Sequence, residues 1–149
     1  MRVVVADTSP LNYLILIGHI EVLREMYETV LVPPEVLAEL AATGAPAQVA
    51  EWLRAKPHWL QARAVRLSVD DPTLMNIGEG ERAAILLAQE EADVLLLIDD
   101  AAGRAEANRR RIANTGTLGV LREAALRDLL DLRTALNHLA KTNFRASAS

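Results

Sequence analysis

The chain has 149 residues, enough for one domain with a real core, and it is 51% hydrophobic but only 3% aromatic, so that core must be aliphatic. No apolar stretch reaches the ~18 residues of a membrane span, and the absence of cysteine excludes disulfides and thiolate metal sites. A net charge of −4 argues against a broad basic face for nucleic acid and leaves room only for a local one.

These limits predict one soluble, cytoplasmic domain over 1–149, with 142–149 as a frayed tail. No signal peptide is expected, because Asp7 interrupts the first apolar run. That run, Arg2-Val3-Val4-Val5-Ala6, is β-branched and reads as a buried strand. Thr8-Ser9-Pro10 follows Asp7, and Ser or Thr next to Pro reads as an N-cap with Pro at the first helical position. Asp7 therefore stands where a strand's carboxyl end meets a helix N-terminus, the place where open α/β sheets bind ligands. Leu11, Leu14, Ile15 and Gly18 lie on one helical face. A short helix is predicted over Glu21–Tyr27, with Val22, Leu23 and Met26 inward, then a strand over Thr29–Val32 stopped by Pro33-Pro34.

Pro34 can open a helix over Glu35–Ala42 with Val36, Leu37 and Leu40 inward. Thr43-Gly44-Ala45-Pro46 breaks it. A helix over Ala47–Ala55, a strand over Trp59–Val65 and turn chemistry at Asp70-Asp71-Pro72 come next. From Gly78 to Glu91 the pattern is helical, and Ala83–Ala88 is apolar on nearly all sides, the mark of a buried helix. Val94–Ile98 is the strongest strand and lacks polar alternation, as a central parallel strand should. Asp99-Asp100 ends it, and a helix runs to about Arg109. Ile112-Ala113-Asn114 reads as a last strand, Thr115-Gly116-Thr117 leads a helix through Leu126, and a final helix covers Asp131–Lys141 with Leu132, Leu136 and Leu139 on one face. Strands alternating with helices predict a three-layer α/β/α domain with a central, mostly parallel sheet, in which Val3–Ala6 and Val94–Ile98 are neighbours.

Acids recur at strand ends and helix starts: Asp7, the Glu35/Glu39 pair, the Glu79/Glu81 pair and Asp99-Asp100. Each placement alone suits capping or the helix dipole. Together, carboxylates converging on one sheet edge would repel and raise one another's pKa values, and a divalent cation would neutralise them. Oxygen ligands without Cys or a well-placed His point to Mg²⁺ or Mn²⁺ rather than Zn²⁺, which suits phosphodiester chemistry. Arg104 and the Arg109-Arg110-Arg111 cluster are the candidate phosphate contacts, against the plainer reading of a solvated helix end. His19, His58 and His138 read as structural or surface residues, and Trp52 and Trp59 as core anchors.

Several of these segments resemble a known family. Val4-Val5-Ala6-Asp7-Thr8-Ser9-Pro10-Leu11 resembles the opening motif of PIN-domain ribonucleases, the family of VapC-type toxins. Val32-Pro33-Pro34-Glu35-Val36-Leu37-Ala38-Glu39-Leu40 resembles the second motif and selects Glu39. Gly78-Glu79-Gly80-Glu81 resembles the third, and Leu96-Leu97-Ile98-Asp99-Asp100 with Arg104 the fourth. Gly116-Thr117-Leu118-Gly119-Val120-Leu121 is similar to a bacterial and archaeal subgroup described only as nucleic-acid-binding. The resemblance implies an Mg²⁺- or Mn²⁺-dependent endoribonuclease, a toxin held by a small antitoxin protein and forming a homodimer. Asp7, Glu39, Glu81 and Asp99 would be its catalytic acids, with Glu79 and Asp100 as supporting metal ligands. Thr8, Ser9, Arg104, Arg109, Arg110 and Arg111 would contact RNA. Glu79 and Glu81 lie about 200° apart on a regular helix, which favours Glu81; Asp99 against Asp100 stays open. One rival is a non-catalytic PIN-like module binding RNA or protein, which a broken acidic quartet would mark. Another is a phosphatase or receiver-like phosphoacceptor, which would keep paired acids after the first strand and a Lys after the last.

Overall fold

The computed structural model describes residues 2–42, 44–66 and 71–145; Asp70, part of the expected turn, lies outside them. Five strands, β1 (Val3–Ala6), β2 (Val30–Val32), β3 (Leu60–Ala62), β4 (Val94–Leu97) and β5 (Ala113–Thr115), form one parallel sheet in the order β3-β2-β1-β4-β5. β1 pairs with β4 from Val3 opposite Val94 to Ala6 opposite Leu97. The two strands expected to be neighbours are therefore hydrogen-bonded, and their carboxyl ends finish level. Asp7 and Asp99 follow them on the same sheet edge, as a parallel pair requires.

Eight helices cover the two faces: α1 (Thr8–Leu16), α2 (Val22–Tyr27), α3 (Pro34–Leu40), α4 (Ala47–Arg54), α5 (Glu79–Gln89), α6 (Ala101–Arg109), α7 (Thr117–Leu126) and α8 (Leu132–Ala140). Because side chains alternate along a strand, each strand feeds both layers. Val4, Ala6, Leu95 and Leu97 join the larger core with α1, α2, α3, α4, α7 and α8. Val5, Leu96 and Ile98 point the other way, into the core built by α5 and α6. Each fully buried Leu or Ile is worth roughly 1.5–3 kcal/mol, so the unbroken apolar strands at the sheet centre carry both layers. Residues Ala83–Ala88 of α5 are all buried, in agreement with the apolar stretch.

Local chemistry sets the element ends. Gly18 takes a positive φ of 78°, and the N–H groups of Gly18 and His19 return to Ile15 and Leu14, closing the end of α1 as glycine permits. β3 stops at Ala62 rather than Val65, since its first residue alone is buried and nothing pairs its outer edge. Asp71 caps a short 3-10 turn at Pro72–Leu74 through the Thr73 N–H at 2.9 Å. In α8 the inward residues are Ala135 and Leu139, while Leu136 is exposed. The segment after α8 is tied down as far as Arg145: Phe144 meets Tyr13 edge-on at 5.0 Å, and the Tyr13 hydroxyl donates to Asn143 at 2.8 Å. The rest of the tail expected to fray, residues 146–149, lies outside the described residues.

Candidate active site

Every βα crossover in a parallel sheet returns its helix antiparallel to the strands, so helix N-termini gather at the strands' carboxyl edge. Here that edge carries Asp7 as N-cap of α1, Asp100 as N-cap of α6, Gly78 as N-cap of α5 and Gly116 as N-cap of α7. Each N-terminus offers unsatisfied N–H groups and a partial positive charge, and three of them hold a carboxylate. Gly80 of α5 donates to Glu39 Oε1 at 2.9 Å. Thr117 of α7 donates from its backbone to Asp99 Oδ1 at 2.7 Å. Gly103 of α6 donates to Asp100 Oδ2 at 2.9 Å.

Hydroxyls complete the supports. Thr8 Oγ1 donates to Glu39 Oε2 at 2.6 Å. Ser9 Oγ and Thr117 Oγ1 both donate to Asp99 Oδ2, at 2.8 and 2.6 Å. Thr8 and Ser9, expected to touch substrate, are therefore committed to the acids, because α1 starts directly between Glu39 and Asp99. Thr117, fully buried, was not selected from sequence as a site residue. Its place in the Gly116–Leu121 motif was the available signal.

Asp7 lacks such support. It is 3% exposed, and its Oδ1 is buried with no hydrogen-bond partner among the described residues. Burial pushes its carboxyl up to about 7, opposed by the Thr8 N–H and reinforced by the charges of Glu39, Asp99 and Asp100. Glu81 is driven to about 8, first by burial and then by Asp7 and Asp100, with Glu39 adding to it. Asp7, Glu39, Glu81, Asp99 and Asp100 thus form one interacting group. Glu81 is half-buried and faces it, whereas Glu79 is exposed in the first turn of α5 and is absent from the charges acting on Asp7 or Glu81. The structure does not bring Glu79 into this group: Gly78 is the N-cap of α5, so Glu79 is the first residue of the helix itself rather than part of the preceding turn. Asp99 and Asp100 both belong, on different sides, Asp99 toward Ser9 and Thr117 and Asp100 toward Gly103 and Glu81.

Close approach requires the glycines. A Cβ at Gly80 would collide with Glu39 Oε1, one at Gly116 with Asp99 Oδ1, and one at Gly103 would lie 3.3 Å from Glu81 Oε2. Gly80 and Gly116 stand in the sequence only as motif letters and let helix backbones reach carboxylates, while Gly103 makes room first for the Ile98 side chain and then for Glu81.

The arginines divide. Arg104 is half-buried, bonded through Nε to Asn114 at 3.3 Å, and lines a cavity of about 250 Å³ shared with Asp99. Arg109, Arg110 and Arg111 are carried by α6 to the opposite sheet edge, where Arg110 and Arg111 line a cleft with Arg2, Asp93, Val94 and Ala113. Arg110 is spent on Glu106 at 2.7 Å, on Asp71 at 3.0 Å, and on Thr73 and Gln89. Arg109 pairs with Glu106 at 2.8 Å. The structure does not bring these three to the acids: α6 must run back across the sheet to start β5, and it takes them away from the acidic edge. The histidines also stand apart, His19 lowered first by burial and then by His138. Trp52 and Trp59 pack at 6.0 Å on the α4 side.

The donors fit a hard divalent cation. All are carboxylate oxygens, one is buried and orphaned among the described residues, and burial first and mutual repulsion second raise Asp7 and Glu81. Among the described residues no three acids are already posed as a ligand set; Glu39 and Asp99 are turned to their hydroxyl and N–H partners.

A family model described as a PIN domain matches residues 3–149. No curated protein matches the chain.

Proposed function

The chain belongs to the PIN-domain family, whose members are generally nucleases using divalent metals, and from this we propose that it is an Mg²⁺- or Mn²⁺-dependent endoribonuclease. The observation that carries the reading is Asp7: a buried carboxylate with an orphaned oxygen, surrounded by Glu39, Glu81, Asp99 and Asp100. An intact acidic group of this kind favours catalysis over a binding-only module.

Asp7, Glu39, Glu81, Asp99 and Asp100 would hold the ion, with Glu39 and Glu81 swinging in on side chains long enough to do so. Bound there, it neutralises the carboxylates, polarises a phosphoryl oxygen and makes water more acidic. The remaining work belongs to the chain. Ser9 and Thr117 fix Asp99, Thr8 and Gly80 fix Glu39, and Asp100 ties α6 to Glu81. One carboxylate orients the attacking water, and Arg104, beside Asp99, takes a flanking phosphate. Attack on phosphorus with departure of the 3′-oxygen leaves 3′-hydroxyl and 5′-phosphate ends.

The reading extends to a cytoplasmic toxin of a toxin–antitoxin pair, acting as a homodimer and restrained by a small antitoxin protein. No helix among the described residues is long and apolar enough to cross a membrane. Titration of Mg²⁺ and Mn²⁺ into cleavage reactions on structured and unstructured RNA tests the enzyme. Saturable, chelator-reversible cleavage lost in Asp7→Asn is expected; cleavage indifferent to metal or to Asp7→Asn contradicts it.

A further inference from the structure

With Arg109–Arg111 at the opposite sheet edge, Arg104 is the one expected phosphate contact beside the acids, and other arginines extend from it. The cavity beside Asp99, about 250 Å³, is lined by Arg104 and Arg145, with Leu118 and Phe144 as apolar wall. A second cavity of about 360 Å³ is lined by Arg2, Arg122 and Arg127 with Tyr27. Both include Thr115 and Gly119, so they meet where the edge strand β5 lies against the first turns of α7. At that junction α7 comes so close that a Cβ at Gly119 would collide with Thr115 Oγ1. Any larger residue at 119 would fill the passage or force Thr115 aside.

Charge distinguishes this track from the other edge. Arg109 and Arg110 are neutralised by Glu106 and Asp71, and Arg111, though in no ion pair among the described residues, lines a cleft that also holds Glu91 and Asp93. Along the track, Arg127 is paired with Glu123 at 3.1 Å and Arg2 with Asp93 at 3.7 Å. Arg104, Arg122 and Arg145 have no carboxylate partner among the described residues. Three guanidinium groups without a carboxylate partner among the described residues therefore lie along two adjoining cavities, the first of which includes Asp99 of the acid cluster.

Resting on the ribonuclease reading, we propose that single-stranded RNA leaves the acid cluster along the β5–α7 rim. Arg104 and Arg145 hold the phosphate next to the cleaved bond, and Arg122 holds one farther along. Guanidinium forks suit phosphate oxygens, and single strands are held by a basic groove with apolar surfaces for bases to lie on. Phe144 and Leu118 offer that surface beside Asp99.

The test uses the full chain carrying Asp7→Asn, so that binding is read without cleavage, and fluorescent oligouridylates of roughly 4 to 16 nucleotides. Arg145→Gln should weaken binding of every length severalfold. Arg122→Gln should weaken the longest severalfold and leave the shortest, which reach only the first cavity, unchanged. Each should flatten the plot of log affinity against log salt by about 0.7, Arg122→Lys should restore the slope, and melting curves should match the parent. The double change Arg109→Gln with Arg111→Gln should alter nothing. Unaltered binding in Arg122→Gln and Arg145→Gln overturns the path, including when those variants instead lose a protein partner. Metal-dependent cleavage by the unmutated chain is scored separately, so the path can fail while the nuclease reading stands.

Discussion

The Gly80 N–H and Glu39 Oε1 meet at 2.9 Å across 41 positions of sequence. This single bond fixes where α3 crosses the start of α5. It also sets Glu39 on the N-terminal dipole of α5, where a carboxylate is stabilised. A methyl group at 80 would occupy the space of the Glu39 carboxylate. Because Glu39 ends a flexible side chain, the fold can yield while the site cannot. Alanine also favours a helix by roughly 0.8–1 kcal/mol over glycine. Gly80→Ala should therefore keep or slightly raise the melting temperature and lower metal-dependent cleavage at least tenfold, on the order seen when a ligand's support is lost. Unchanged cleavage in a well-folded Gly80→Ala would show that Glu39 is not held for function.

Thr117 offers a conservative probe of the opposite wall. Thr117→Val keeps shape and the backbone bond to Asp99 but removes the 2.6 Å hydroxyl bond. Supports of this kind are typically worth about 10–100-fold in metal affinity or activity. Mn²⁺ affinity should fall within that range, and Thr117→Ser should restore it. Equal affinity in the Val and Ser variants would make Thr117 a packing residue only.

The outline of this arrangement was legible in the sequence, and its details were not, for identifiable reasons. Unbroken apolar strands next to acids at Asp7 and Asp99 predicted a parallel pair with both acids on one edge, since a parallel register admits no other placement. The preference for Glu81 over Glu79 followed from helix geometry, and the start of α5 at Glu79 places only Glu81 toward the other acids. Arg109–Arg111 misled because closeness in sequence to Asp100 conceals the direction of α6. Nine residues of helix at about 1.5 Å each carry them across the sheet. Gly80, Gly103, Gly116 and Thr117 were hidden for another reason: each acts on a residue supplied by another element, and a tertiary approach leaves no local pattern.

The stability of the metal-free chain should fall as pH rises. Asp7 and Glu81 have folded-state values near 7 and 8, against ordinary values of 3.8 and 4.5. Between those limits the folded chain binds more protons than the unfolded one, so unfolding free energy declines with pH. The contribution is fully present below about pH 4 and lost as pH passes 7 to 8. Melting in chelator should show this decline, and Asp7→Asn combined with Glu81→Gln should flatten it. A metal-free melting temperature that rises across the same window would contradict the proposed repulsion.

The same protons make the most direct test of the central claim, that a divalent cation binds at the orphaned Asp7 carboxylate. Calorimetric titration of Mn²⁺ near pH 7, in buffers of different ionisation heat, reads affinity and proton release together. The account predicts saturable binding that expels protons from the Asp7/Glu81 pair, with affinity lost and proton release abolished in Asp7→Asn. Binding to Asp7→Asn as tight as to the unmutated chain, or no saturable binding to either, would contradict it.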